Sequence, residues 1–286
     1  MNSKERVCCS IQHHKPDRVS VNFEAVDYVK DMIVKKHGLP DYTPKRNQAE
    51  VVSMSTMFRR FLAFLLLAII PTWSQAQESS PIKVEAYKHP VKLACIGDSI
   101  TQGVGAGPGQ AWPSQIQKML GDKWEVGNFG LSSRTLLNSG DAPYQRTGPL
   151  KKAKDFNPDV VVILLGTNDT KPQNWKHKDN FTADYIDLIQ QFAALPSKPR
   201  IFICYPPYIA TNDAASINEP NTLALIPMID KAAKTTHANI IDVHGALVGK
   251  DKLIPDRVHP NAAGAAEIAK AVYKALTGTA APDHAR

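Results

Sequence analysis

From residue 77 onward, short apolar runs alternate with stretches in which apolar residues recur every three to four positions. The runs at 91–96, 124–128, 160–165, 200–204 and 239–242 have the length and apolar density of strands buried on both faces. Helical periodicity occupies 111–120, 149–156, 184–194, 223–235 and 262–276. Strands that alternate with helices build βαβ units, and such units bury a parallel sheet beneath helices on both faces. Right-handed crossovers leave few ways to connect five strands of this kind. The pattern therefore predicts an α/β protein, a three-layer α/β/α sandwich around a doubly wound, parallel five-stranded sheet of flavodoxin-like topology. Residues 77–286 suit a single domain of this type, and no internal repeat divides them.

The first 76 residues break the pattern. Residues 1–53 are polar and charged, with only short apolar clusters. Arg59-Arg60, the apolar run 61–70, Pro71 and Ser74-Gln75-Ala76 then follow in order. A positive start, a short apolar stretch and small residues before a break compose a secretory signal peptide, here over 54–76 with cleavage expected after Ala76. The apolar run falls well short of the ~20 residues a membrane span needs; a retained N-terminal anchor is the alternative. Signal peptides begin at a start methionine, so translation is expected to begin at Met54 or Met57, with residues 1–53 an extension outside the mature protein. The expected location is secreted or periplasmic, with no stable membrane insertion after cleavage. N-terminal sequencing of the exported protein checks this: Gln77 is the expected first residue, and Asn2 or Ser3 contradicts it.

Composition narrows the partners. Hydrophobic residues make up 43% of the 286 and charged residues 21%, which supports a packed core and excludes wholesale disorder. The formal net charge is +7, yet residues 77–286 carry 23 Lys and Arg against 20 Asp and Glu, with no long basic run. Nucleic acid is therefore not an expected partner. Of the four cysteines, Cys95 and Cys204 fall in strand-like runs and read as buried small hydrophobes. No Cys-x-x-Cys pair marks a zinc site, and neither a metal nor another cofactor is expected.

Candidate chemistry sits where strands end. Gly97-Asp98-Ser99-Ile100-Thr101 follows the first strand, Asn128-Phe129-Gly130-Leu131-Ser132 the second, and Gly166-Thr167-Asn168-Asp169 the third. Asp256-Arg257-Val258-His259-Pro260-Asn261 precedes the last helix. Strands of one parallel sheet end on one edge, the edge where ligands bind in such folds. Acyl transfer needs a nucleophile, a base, a group that orients the base, and donors for the oxyanion. Ser99 can be the nucleophile and His259 the base, because imidazole titrates near neutral pH. Asp256 stands three residues before that histidine, and Pro260 keeps His259 extended so that the carboxylate can reach Nδ1. Gly130 can offer a backbone N–H with no side chain in the way, and Asn168 its amide. Each element alone has a plainer reading. Asp98, Ser99, Asp256 and Asn261 are common helix caps, and Asn168-Asp169 suits an Asx-turn. The ordered set of four is what separates the readings.

That ordered set resembles the SGNH, or GDSL, esterase and lipase superfamily over roughly residues 91–276. The resemblance implies an SGNH-type sandwich with Ser99, Asp256 and His259 as triad. It also implies an oxyanion hole made by the backbone N–H groups of Ser99 and Gly130 and the side chain of Asn168. Several exported bacterial members of that superfamily deacetylate polysaccharides, so the implied activity is a carbohydrate O-acetylesterase acting on a small-molecule or glycan acyl ester. Asp98, Trp112, Asp169 and Trp175 are the candidate substrate contacts, with His177 beside Trp175. For the tryptophans, ordinary core packing is the alternative. Within the same class, a lysophospholipase, thioesterase or arylesterase for short acyl chains competes. A catalytically silent glycan-binding protein is a rival of another class, and metal-dependent hydrolysis through Asp98, Asp169, Asp256 and His259 is a third. Separately, Ser3-Lys4-Glu5-Arg6-Val7 and His14 to Val19 resemble the opening of the uroporphyrinogen decarboxylase family. That match covers residues 1–21, too few to bury a core, so it implies no activity here.

Overall fold

The structure, a computed structural model, describes residues 80–282. The extension 1–53, its decarboxylase-like opening and the signal-peptide segment 54–76 lie outside the described residues.

The elements run β1 (Val91–Gly97), α1 (Ser99–Gln102), α2 (Trp112–Leu120), β2 (Trp124–Gly130), α3 (Gly148–Asp155), β3 (Val160–Leu164), α4 (Pro172–Trp175), α5 (Phe181–Ala193), β4 (Arg200–Cys204), α6 (Glu219–Thr236), β5 (Asn239–Ile241), α7 (Val243–Leu247) and α8 (Ala262–Thr277). The five strands form one sheet in the order β2-β1-β3-β4-β5, with every neighbouring pair parallel. The expected α/β sandwich is the observed one. From β1 the chain crosses to one edge of the sheet, and from β3 it winds toward the other. The switch point of the topology is therefore the β1–β3 boundary, where ligand crevices open in such sheets.

Two cores follow from the period-two alternation of strand side chains. Leu93 and Cys95 of β1, with Val160, Val162 and Leu164 of β3, point to one face and meet Trp112, Ile116, Ile268 and Val272 of α2 and α8. Ala94 and Ile96, with Val161 and Ile163, point to the other face and meet Leu150, Tyr185, Leu188, Leu225 and Ile229 of α3, α5 and α6. Cys95 and Cys204 are free thiols buried in β1 and β4, which β3 separates. Burial pushes both thiols up, so they behave as the small hydrophobes the sequence predicted.

Boundaries differ where local chemistry overrides periodicity. Strand β2 continues to Gly130, paired with Gly97, so Asn128 to Gly130 lie within the ladder instead of after it. Helix α6 begins at Glu219, four residues before the apolar pattern does. Asn218 caps it by accepting from Asn221 N–H at 3.0 Å, and Pro220 sits in the first turn where no donor is missed. Pro227 lies inside the same helix. Its own side and that of Leu223, four residues earlier, face solvent, so water can serve the carbonyl that proline leaves unbonded. Among the described residues, no helix is long and apolar enough to cross a membrane.

Candidate functional site

The site is assembled at the β1–β3 switch point. After Gly97 the chain turns at Asp98, whose side chain accepts from Ile100 N–H at 2.9 Å and caps the single turn α1. The capping reading of Asp98 therefore holds, and it coexists with a role for its neighbour. Ser99 is the first residue of that turn, where a backbone N–H has no acceptor within the helix. Its Oγ lies 3.0 Å from His259 Nε2.

His259 comes from the loop before α8, and that loop is shaped by Asp256. One carboxylate oxygen accepts the backbone N–H of Val258 at 2.9 Å and of His259 at 2.6 Å. The other lies 2.7 Å from His259 Nδ1. Between them Arg257 adopts a left-handed conformation, with φ of 70°. Its carbonyl is tied by Ala210 N–H at 3.0 Å to the loop that follows β4. Burial works to raise the Asp256 carboxyl, but hydrogen bonds from the His259 and Val258 N–H groups and the imidazole outweigh it and hold it below the ordinary range. The glycine-rich loop after α1 supports the histidine from below. Gly105 has φ of 85°, and a side chain there would stand 2.9 Å from the Pro260 carbonyl oxygen and 3.0 Å from His259 Cβ.

Asn168 stands in the 3-10 turn Thr167–Thr170 after β3 and is 4% exposed. Its Nδ2 donates to Asp98 Oδ2 at 3.3 Å and to the Arg134 carbonyl at 3.2 Å, while its own carbonyl accepts from Asn174 Nδ2 at 2.8 Å. Gly130 N–H is held by Asn128 Oδ1 at 2.9 Å, and Asn128 Nδ2 reaches the Thr101 carbonyl at 2.9 Å. An incoming oxyanion would have to share or displace that Gly130 bond. The glycine itself is needed for a reason other than the expected one. A Cβ on Gly130 would collide with Gln102 N and stand 2.7 Å from the Thr101 carbonyl carbon, so its bareness lets α1 lie against β2.

Of the candidate substrate contacts, burial overturns Trp112, Asp98 and Asp169. Trp112 is fully buried, with its indole N–H donating to Thr101 Oγ1 at 3.2 Å, so no sugar can stack on it. Asp98 and Asp169 are each 1% exposed, so neither carboxylate offers a surface to a substrate. Asp169 accepts Leu137 N–H at 2.8 Å and Leu136 N–H at 3.0 Å, which ties the segment after β2 to the end of β3. Trp175 packs partly buried against the second core, with Lys178 Nζ 5.8 Å from its ring centre. His177 lies in the turn after α4, and among the described residues no hydrogen bond joins it to Ser99, Asp256 or His259. Desolvation pushes Asp98 up to about 6 and Asp169 up to about 7 against the hydrogen bonds each accepts. Among the described residues, no three His, Cys, Asp or Glu side chains gather as metal ligands would.

Residues that the sequence reading missed act as props. Asn128, Asn174 and the Arg134 carbonyl fix the backbone and amide around the site. Gln102 Oε1 accepts both the N–H and the hydroxyl of Ser132, at 2.8 and 2.6 Å. The available signal for Asn128 was its place in the cluster Asn128 to Ser132 beside Gly130. A backbone carbonyl such as that of Arg134 leaves none.

Chemically, the arrangement offers a hydroxyl beside an imidazole whose far nitrogen is held by a carboxylate, with amide donors nearby. The model of the GDSL-like lipase/acylhydrolase family matches residues 95–267 of the chain. An acetylxylan esterase of Xylanibacter ruminicola is 37% identical across 65% of this chain and 43% of its own length. The chain thus spans less than half of that curated relative. Among solved structures, a carbohydrate acetylesterase from Sinorhizobium meliloti is similar with a TM-score of 0.54 and 20% identity, covering 64% of this chain and 97% of that one. The aryl esterase of M. smegmatis is similar with a TM-score of 0.51 and 21% identity, over 64% and 97%. These two likenesses speak to fold, and they span two substrate types.

Proposed function

The chain belongs to the GDSL-like lipase/acylhydrolase family, a family of carboxylic ester hydrolases, and on that premise we propose that it is a serine esterase that deacetylates carbohydrate. The observation that carries this reading is the unbroken line from Ser99 Oγ through both ring nitrogens of His259 to the Asp256 carboxylate. In the proposed cycle, Ser99 Oγ attacks the acyl carbon and passes its proton to His259 Nε2. Asp256 keeps the imidazole in the tautomer that leaves Nε2 free to accept. The negative oxygen of the tetrahedral intermediate takes hydrogen bonds from Ser99 N–H, Asn168 Nδ2 and Gly130 N–H, each such donor being worth ~3 kcal/mol at the transition state. His259 then returns the proton to the departing sugar oxygen. Water, activated by the same imidazole, releases acetate and regenerates Ser99.

Carbohydrate is favoured as the alcohol part because the 37% identical relative carries the name acetylxylan esterase. The signal peptide read at 54–76 and the mature hydrolase domain 77–286 would put the enzyme where plant or cell-wall polysaccharide is met. The test is an assay of the exported protein on acetylated xylan and O-acetylated sialic acid beside acyl-CoA and lysophospholipid. Acetate release from a glycan is the expected result. Turnover of acyl-CoA or lysophospholipid with no acetate from any glycan would transfer the chain to the competing substrate class. Binding of glycans without hydrolysis of any ester would make it a silent binding protein.

A further inference from the structure

Asp98 has no surface to offer a substrate, yet its carboxylate faces the one side chain whose direction matters most to an oxyanion. A carboxamide has a donor end and an acceptor end of nearly the same shape, so its neighbours decide which end points where. Around Asn168 Nδ2 those neighbours are Asp98 Oδ2 at 3.3 Å and the Arg134 carbonyl at 3.2 Å. Both only accept while Asp98 is ionised. Both bonds are long, which leaves the N–H groups able to be shared with a third acceptor.

Resting on the esterase reading, we propose that Asp98 is the positioning residue for Asn168: as a buried, acceptor-only neighbour it holds the carboxamide with its donor end toward the oxyanion. The other carboxylate oxygen is committed to Ile100 N–H at 2.9 Å, so the group cannot turn away. If Asp98 takes a proton, its free oxygen becomes a donor. Asp98 then favours the amide oxygen while the Arg134 carbonyl still favours Nδ2, so the carboxamide loses its single fixed direction, and in its flipped form the oxyanion meets a position with no N–H.

Protonation is within reach of the working range, because burial lifts Asp98 to about 6. The charged groups that bear on it are known. His259, from the loop before α8, and Lys171, at the end of the turn after β3, favour its ionised form. Asp169, from that same turn, is a like charge that Asp98 in turn pushes upward. The sign is therefore definite: Asp98 is ionised and Asn168 held above about pH 6, and the hold is lost as pH falls through that value. His259 must also be unprotonated for attack. Two protons then oppose catalysis on the acid side.

Asp98→Asn and Asp98→Ala separate positioning from mere packing. Asparagine keeps the shape, but with its oxygen on Ile100 N–H it points an NH2 at Asn168 Nδ2 and drives the carboxamide away from its present direction. Alanine leaves a cavity and an uncapped turn but no opposing donor. We expect kcat in D98N to fall about a hundredfold, the loss of one oxyanion donor, with KM nearly unchanged, and D98A to retain the higher kcat of the two. The acid limb of log kcat/KM against pH should steepen toward two protons in the parent and show one in D98N. Asn168→Ala should cost a similar factor, and adding D98N to it should cost little more. Greater damage in D98A than in D98N, additive losses in the double variant, or an unchanged limb would overturn the proposal. Should D98A not fold, the cycle between D98N and N168A decides alone. Failure of the esterase reading looks different, since either the parent would hydrolyse no ester at all or Ser99→Ala would remain active.

Discussion

Ser99→Ala is expected to lower kcat on an acetyl ester by roughly a millionfold, the cost of deleting the nucleophile from a triad whose members act as one unit. Ser99 is 8% exposed and makes its side-chain contact with His259 alone among the hydrogen bonds around it. Removing Oγ takes away one partly buried bond and little packing. The thermal midpoint should therefore stay within a few degrees of the parent. Steady-state kinetics and a melting curve on the same preparation check both halves. A variant that hydrolyses esters at the parental rate would exclude Ser99 as the nucleophile. A variant that fails to fold would show that the serine also supports the turn that Asp98 caps.

Asp256→Asn is expected to lower kcat by ~10⁴-fold while changing KM little, the size of effect that follows when the imidazole is held in the wrong tautomer. The geometry explains why an isosteric change does so much. One carboxylate oxygen is occupied by the N–H groups of Val258 and His259, at 2.9 and 2.6 Å. An asparagine oxygen will take that place, which leaves its NH2 opposite Nδ1. The ring must then accept at Nδ1 and carry its proton at Nε2, facing a serine it can no longer deprotonate. Because hydrogen bonds hold Asp256 below the ordinary carboxylate range, its own protonation is not what ends activity on the acid side. Activity in the parent should fall as the imidazole is protonated. A rate that keeps rising below about pH 5 would contradict a histidine base. Asp256→Asn with parental kcat at neutral pH would remove Asp256 from the triad.

The architecture was legible because its signals are periodic. Apolar runs such as 160–165 leave no choice but burial on both faces, and five of them interleaved with helices leave few topologies. The residues gathered at the switch point were legible for a related reason. Ser99, Asn168 and Gly130 stand where strands of a parallel sheet end, and such ends share an edge whatever the tertiary detail. His259 and Asp256 were found through the chemistry of a base and its orienter. What escaped was depth. A tryptophan thirteen residues after Ser99 reads the same as a sugar platform or as core, and only the packing of α2 against β2 and α8 decides that Trp112 is core. Asp98 and Asp169 are candidate substrate contacts by their place at strand ends, whereas both are buried behind the site by the amides they hold. Props such as Asn128 and the Arg134 carbonyl escaped because their partners lie on other elements. Helix α6 escaped at its start because a cap and an early proline, rather than an apolar face, define it.

The proposed cycle needs a reactive hydroxyl at Ser99 driven by His259. An organophosphonate ester that mimics the tetrahedral acyl intermediate should form one covalent adduct per chain, located by mass spectrometry on the peptide that contains Ser99. The adduct should be lost in Ser99→Ala and form far more slowly in His259→Ala. Full ester hydrolysis with the adduct on another residue, or with labelling of Ser99 indifferent to His259, would contradict it.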